Sequence, residues 1–352
     1  MKRRTADSRL NLSSNELHHP WIEPLLAAAV ALLDPATLAR YPVTAGHIAT
    51  LSGHFGLPED GMMLTPGSDS AIRLVIAHHA ARPDAGELLL QYPNYPAWEH
   101  AAAQRGITVR RIGGDAAVQA DRLCAAARGC RNALIAVSVP NGPCGWSLPG
   151  DRIDELAAIA ADQDHLLVVD SCYQAFAGDL TAQLRRAGGP VLVVQSLSKS
   201  HGLAGARIGL LTGEPALVAE LARGQLEQTV SGPTVGIAVA LLAHTARLRE
   251  IWADIAGVRD RTAAALADTG FTTLPSDGNF LAVDVGSPVL ARALVDGMSR
   301  RGYRLRDLSD VGGLAGHVRF TICDAATTAA ALAALRSVLA APVAARSLEA
   351  LP

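Results

Sequence analysis

Four short apolar runs set the tightest limit on what this chain can fold into. Residues 87–91, 133–139, 166–169 and 191–194 are nearly unbroken stretches rich in Val, Leu, Ile and Ala. A strand with one wet face alternates apolar and polar residues. A run without alternation is buried on both faces, as in a parallel sheet held between helices. Ala-rich helical segments such as 95–105 and 151–161 separate the runs. This βαβα rhythm predicts an α/β fold built on a mainly parallel central sheet. Ligands of such sheets sit beyond the carboxyl ends of the strands, which directs attention to the loops 92–95, 140–145, 170–173 and 196–199. Past residue 255 the pattern changes to a helix ending at Ala267, strands at 279–285, 303–306 and 317–322, and helices at 288–301 and 325–340. The expected organisation is a large domain over 35–254 and a smaller α+β domain made of 1–34 and 255–352.

Composition narrows the function classes. A formal net charge of −2 favours neither nucleic acid nor an anionic membrane as partner. The apolar stretch 25–33 is far shorter than the ~20 residues of a membrane span, and the basic start Met1-Lys2-Arg3-Arg4 lacks the apolar segment of a secretory signal. Five cysteines without C-x-x-C spacing argue against a disulfide framework or a zinc site, so no metal is expected and a reducing cytoplasm fits. Lysine occurs only at Lys2 and Lys199, and arginine supplies the other 29 of 31 basic residues. A solvated cation can be either residue. A primary amine that must deprotonate and attack a carbonyl has to be lysine.

Lys199 stands in the loop after the fourth run, in Ser196-Leu-Ser-Lys-Ser-His-Gly-Leu-Ala-Gly-Ala-Arg207. Two hydroxyls, Ser196 and Ser198, Gly-rich backbone and the fork of Arg207 are what a phosphate dianion requires. A second anion site is expected where Gly67 and Ser68 open a helix whose first turn holds Asp69, since free N–H groups and the helix dipole meet there; Ser68 acting only as a cap is the other reading. Asp170 ends the run 166–169. A carboxylate there is costly to bury unless a donor such as a pyridinium N–H meets it, and Tyr173 is placed to donate to a phenolate oxygen on the same ring. A capping aspartate and a packing tyrosine remain the alternative.

The ordered set of landmarks resembles fold-type I pyridoxal-5′-phosphate (PLP) enzymes of the class I/II aminotransferase group, and among them the histidinol-phosphate aminotransferases and the related threonine-phosphate decarboxylases. The resemblance spans nearly the whole chain and implies the PLP-dependent transferase-like fold, with Lys199 binding the cofactor covalently and Asp170 and Tyr173 serving its ring. It implies that Gly67, Ser68, Asp69, Ser196, Ser198 and Arg207 surround the phosphate and that Tyr95 stacks on the ring. Asn11-Leu-Ser-Ser-Asn-Glu16 is similar to the family's amino-terminal substrate segment, which assigns Asn15 to substrate. Arg40-Tyr-Pro42 resembles the place where a tyrosine of the partner subunit touches the phosphate, which assigns Tyr41 and implies a homodimer with shared sites. Leu305-Arg-Asp307 and Val318-Arg-Phe-Thr-Ile322 resemble the strands whose arginines, here Arg306 and Arg319, hold the substrate's anionic group.

The chain departs from that pattern in the turn Pro140-Asn-Gly-Pro-Cys-Gly145, where Gly142 replaces the asparagine that meets the phenolate oxygen, leaving Asn141 one residue early as the candidate. The expected activity is amino transfer on a small amino acid or phosphorylated amine. A decarboxylase, lyase, cyclase or oxidase on the same cofactor shares every motif. A non-catalytic regulator of this type carries a DNA-binding module ahead of the first motif, and only about ten residues precede Asn11.

Overall fold

The computed structural model describes residues 9–43, 45–178, 186, 188–226 and 228–340. After a short strand β1 (Leu10–Asn11), strands β2 (Met62–Thr65), β3 (Leu88–Gln91), β4 (Val109–Ile112), β5 (Leu134–Ser138), β6 (Leu166–Asp170), β7 (Val191–Ser196) and β8 (Gly209–Thr212) follow in chain order. The last seven form one sheet in the order β2-β8-β7-β6-β5-β3-β4. All neighbours from β7 to β4 run parallel, and β8 alone is antiparallel, to both β2 and β7.

The four runs became β3, β5, β6 and β7, and every residue of each is buried. Alternate side chains face opposite layers. Leu88 and Leu90 pack with Ile72, Val75 and Trp98 from the helices Ser68–Ala80 and Ala97–Gln104. Leu89, Ile135 and Val169 pack on the other side with Leu123 and Leu156, from Ala116–Arg128 and Gly150–Asp162.

Beyond the long helix Thr245–Ala267 come β9 (Thr272–Thr273), β10 (Phe280–Asp284), β11 (Tyr303–Arg304), β12 (Arg306–Asp307) and β13 (His317–Thr321). A four-stranded antiparallel sheet has the order β12-β13-β10-β9, while β11 pairs in parallel with β1. The strand expected over 303–306 is therefore two. The chain changes partners at buried Leu305, leaving β1 for β13. The boundary expected at 254/255 falls inside the helix Thr245–Ala267, which touches both parts: Trp252 Nε1 donates to Ser200 O, and Arg259 Nη1 donates to Gly278 O at 3.1 Å. The amino-terminal residues are likewise shared. β1 joins the later strands, while the helix Ile22–Ala31 presses Ile22 so closely on Gly202 that a Cβ there would lie 2.6 Å from it. No helix among the described residues is long and apolar enough to cross a membrane.

Candidate active site

At the carboxyl ends of β3, β5, β6 and β7 a cavity of about 550 Å³ opens between the two sheets, and each of the four loops singled out by the apolar runs contributes to its wall. Asn94 and Tyr95 follow β3; Pro140, Gly142 and Pro143 follow β5; Asp170 ends β6, with Cys172 and Tyr173 beyond it; Ser196 ends β7, with Ser198 and Lys199 beyond it. Ser13, Ser14, Arg306 and Arg319 complete the far side.

The anion cup forms where β7 meets the start of the helix Ser68–Ala80. Its N-cap is Gly67 at φ +76°, and no side chain caps its first turn, so Ser68 opens the helix without spending its N–H groups. A Cβ on Gly67 would stand 2.7 Å from an Arg207 guanidinium nitrogen. The glycine therefore provides both the backbone conformation and the clearance. Arg207, itself at φ +54°, donates to Asp69 Oδ2 at 3.1 Å and reaches Ser198 Oγ at 3.5 Å. Ser196 Oγ accepts from Ser198 N at 3.2 Å and caps the one-turn helix that holds the lysine. Lys199 Nζ donates to Ser14 O at 2.6 Å, tying the amino-terminal segment across the cavity.

Asp170 is buried, and its Oδ1 accepts from Cys172 N at 3.1 Å. Burial pushes its carboxyl above the ordinary range, against hydrogen bonding from Cys172 and the weaker attraction of Lys199. Among the described residues it has no ion pair, so a cationic N–H in the cavity is the partner it lacks. Burial also raises the Tyr95 phenol, helped by the charge and hydrogen bond of Asp69. It raises the Cys144 thiol to about 12 and the Cys172 thiol well above its ordinary value, so neither is a nucleophile at neutral pH. The chemistry of this donor set fits PLP: an amine for its carbonyl, a buried carboxylate for its ring nitrogen, an aromatic for its face and a basic, Gly-lined cup for its phosphate.

Arg319 is half-buried in the cavity wall, and desolvation lowers its pKa. Its Nη2 donates to Ser13 O at 2.9 Å, its carbon lies 5.1 Å over the Phe280 ring, and its Nε has no partner among the described residues. Arg306 stands at the rim and is gripped by both carboxylate oxygens of Asp310, at 3.1 and 2.9 Å.

Three expected residues lie elsewhere. The Asn141 side chain is turned into the turn itself, donating to Pro93 O at 3.0 Å and accepting from Cys144 N at 3.1 Å, so it is not in the cavity wall. Asn15 is also behind the wall; its amide donates to the Tyr173 hydroxyl at 2.9 Å and accepts from Thr321 Oγ1 at 3.2 Å rather than facing substrate. Tyr41 is 82% exposed and outside this chain's own cavity. Sequence reasoning missed Asn94, whose Nδ2 is buried with no partner among the described residues while its Oδ1 accepts from Ser138 Oγ at 2.7 Å. It also missed Ser14, whose contribution is a backbone carbonyl and leaves no trace in side-chain chemistry.

Comparison with known proteins agrees with this geometry. Residues 7–338 match the family Aminotransferase class I and II. Histidinol-phosphate aminotransferase 1 of Mesorhizobium japonicum is 32% identical over 349 residues, covering 96% of this chain and 92% of that protein. The crystal structure of histidinol-phosphate aminotransferase from Sinorhizobium meliloti in complex with pyridoxal-5′-phosphate superposes with a TM-score of 0.81 at 26% identity, over 94% of this chain and 90% of that one. The L-threonine-O-3-phosphate decarboxylase of Porphyromonas gingivalis shares the fold, with a TM-score of 0.78 at 20% identity, over 94% of this chain and 99% of that one. The chain belongs to the class I and II aminotransferases and is a PLP-dependent aminotransferase of fold type I.

Proposed function

We propose that this aminotransferase moves amino groups between small molecules that each carry one strongly anionic group, a carboxylate on one partner and a phosphate monoester of the histidinol-phosphate type on the other, and that it works as a homodimer. The carrying observation is Arg319. A half-buried guanidinium whose company among the described residues is a backbone carbonyl and an aromatic face is costly until an anion joins it. A planar fork there receives a carboxylate or a phosphate equally well.

When bound, PLP supplies a protonated, electron-accepting ring on which charge released at the substrate's Cα is spread. The chain's own residues do the rest. Asp170 keeps a proton on the ring nitrogen. Tyr95 fixes the ring's face, while Arg207, Ser196, Ser198 and the N–H groups following Gly67 hold the phosphate. Tyr173 directs its hydroxyl to the ring's phenolate oxygen. Arg319 pins the substrate's anionic end, and Arg306 adds a second contact by leaving Asp310. That exchange is cheap, because an exposed ion pair of this kind contributes only about 0–1 kcal/mol. Lys199 Nζ would hold PLP covalently and, once displaced by the incoming amine, would accept the proton from the substrate's Cα. Leu308 and Val311 give the cavity an apolar stretch of wall.

The homodimer is supported by an apolar strip running from Leu32 through Leu38 to Tyr41 and Val43, each at least 74% exposed. The test of function is to incubate PLP-loaded protein with histidinol phosphate and 2-oxoglutarate and measure glutamate. Glutamate formation that falls roughly 10²-fold in kcat/KM for Arg319→Ala is expected, since an unpaired substrate anion loses a charged fork. Carbon dioxide without glutamate from a panel of phosphorylated amino acids would favour decarboxylation instead.

A further inference from the structure

The loss of the turn asparagine at Gly142 leaves the cavity short of an amide beside Tyr173, and the structure places a different amide on that tyrosine. We infer that Asn15 is a positioning residue: its Nδ2 donates to the Tyr173 hydroxyl oxygen and so aims the hydroxyl proton into the cavity, at the cofactor's phenolate oxygen. This rests on the PLP reading above.

The geometry leaves Asn15 little choice of role. It is fully buried, with Nδ2 donating to the Tyr173 hydroxyl at 2.9 Å and Oδ1 lying 3.2 Å from Thr321 Oγ1, whose single proton is shared with Leu12 O at 2.9 Å. Its backbone is held as well, by Asn15 N donating to Thr321 Oγ1 at 3.1 Å and by Asn279 Nδ2 donating to Asn15 O at 3.2 Å. The φ of +55° suits asparagine among side-chain-bearing residues. A hydroxyl that accepts a hydrogen bond on its oxygen has its own proton left for one other acceptor and is a stronger donor to it. The ring is fixed too. Phe280 meets it edge-on at 5.1 Å, and Gly142 lies so close beneath that a Cβ would be 3.1 Å from Tyr173 Cε2. An asparagine at 142 would crowd the tyrosine as it stands. The structure thus supplies the second amide from the amino-terminal segment, through the tyrosine, where the family supplies it directly from the turn. The titratable and charged groups sharing this wall are Asp170, Cys172 and Lys199 at the strand ends, Tyr95, Asp69 and Arg207 toward the phosphate cup, and Arg306 and Arg319 from β12 and β13.

The experiment is a pH titration of the visible absorbance of PLP-loaded wild type, Asn15→Asp, Tyr173→Phe and the double variant. Aspartate keeps the shape, the Thr321 contact and the left-handed backbone, but it accepts the tyrosine proton instead of donating. Asn15→Asp and Tyr173→Phe are each expected to raise the midpoint by about 0.5–1 pH unit, the size of one hydrogen bond gained or lost by a charged oxygen. The double variant is expected to shift no further than Tyr173→Phe alone. An unshifted Asn15→Asp, or shifts that add in the double variant, would overturn the inference and leave the PLP reading standing. Wild-type protein that takes up no PLP would overturn both. Should the aspartate variant not fold, Gly142→Ala carries the test from the other side: its Cβ displaces the Tyr173 ring, and a midpoint equal to wild type would overturn the inference.

Discussion

Single residues in this cavity are held in states that cost the empty protein something. Asp170 is the clearest. Its carboxyl is raised by burial, so the charged form is disfavoured in the folded chain, and the stability it lends is complete at low pH and lost as pH rises through the raised value. Without PLP, Asp170→Asn is therefore expected to melt about 3–5 °C above wild type at neutral pH and to match it in acid. With PLP it should lose at least about 10²-fold in kcat/KM. Calorimetry and amino-transfer rates on the same preparations check both halves, and an apoprotein destabilised by the change would contradict the reading. His201, buried behind the lysine loop and outside the cavity wall, has the opposite sign. Burial, with His54 nearby, lowers it from 6.5 to about 3, and its Nε2 has no partner among the described residues. The stability it lends is present above the unfolded value and lost as pH falls from there toward the folded one, by up to about 1.4 kcal/mol per pH unit. His201→Gln is expected to flatten the fall in urea-unfolding free energy between about pH 6.5 and 4.5; an unchanged slope would count against it. Residue identity made Lys199 and Asp170 legible in the sequence, because an amine among 29 arginines and a carboxylate ending an apolar run are both expensive unless used. The direction of an amide is not legible in that way. Asn15 and Asn141 were both expected to face ligand, and each is instead turned by partners remote in sequence or by its own turn.

The same contrast appears among the elements. The strands β3, β5, β6 and β7 could be read because burial on both faces leaves a continuous apolar run, and with them came the four loops of the cavity. The edge strand β4 is partly exposed and carries Arg110 and Arg111 in its middle, so it shows no such run. β8 begins on Gly209, inside the glycine-rich stretch after the lysine, and its pairing with β2 and β7 is a tertiary fact. The helix Thr245–Ala267 was expected to begin ten residues late, because Leu248, Ile251 and Trp252 continue its apolar stripe across the supposed boundary. Elements also carry a prediction about the phosphate cup. Gly67→Ala places a methyl against Arg207 at a φ side chains avoid, a strain of about 1–2 kcal/mol. PLP binding measured by fluorescence is expected to weaken on the order of tenfold, as that energy implies. Unchanged affinity would mean the helix start does not hold the phosphate.

For the whole molecule, the open question of physics is the uncovered apolar strip at 32–43. Leu38, Tyr41 and Val43 are more than three-quarters exposed, which a second copy of the chain would cover. Sedimentation is expected to give a dimer for wild type, and a monomer with weakened PLP binding for Leu38→Glu combined with Tyr41→Glu; a wild type that is monomeric and fully active would contradict the shared-site arrangement. Every such statement depends on where the cofactor is attached. Because the chain has lysines only at positions 2 and 199, the attachment can be read without ambiguity. Borohydride reduction of the PLP-loaded protein, followed by peptide mass mapping, is predicted to leave one pyridoxyl group per chain on Lys199; a protein that stays unlabelled, or carries the label only on Lys2 or the terminal amine, would contradict the account.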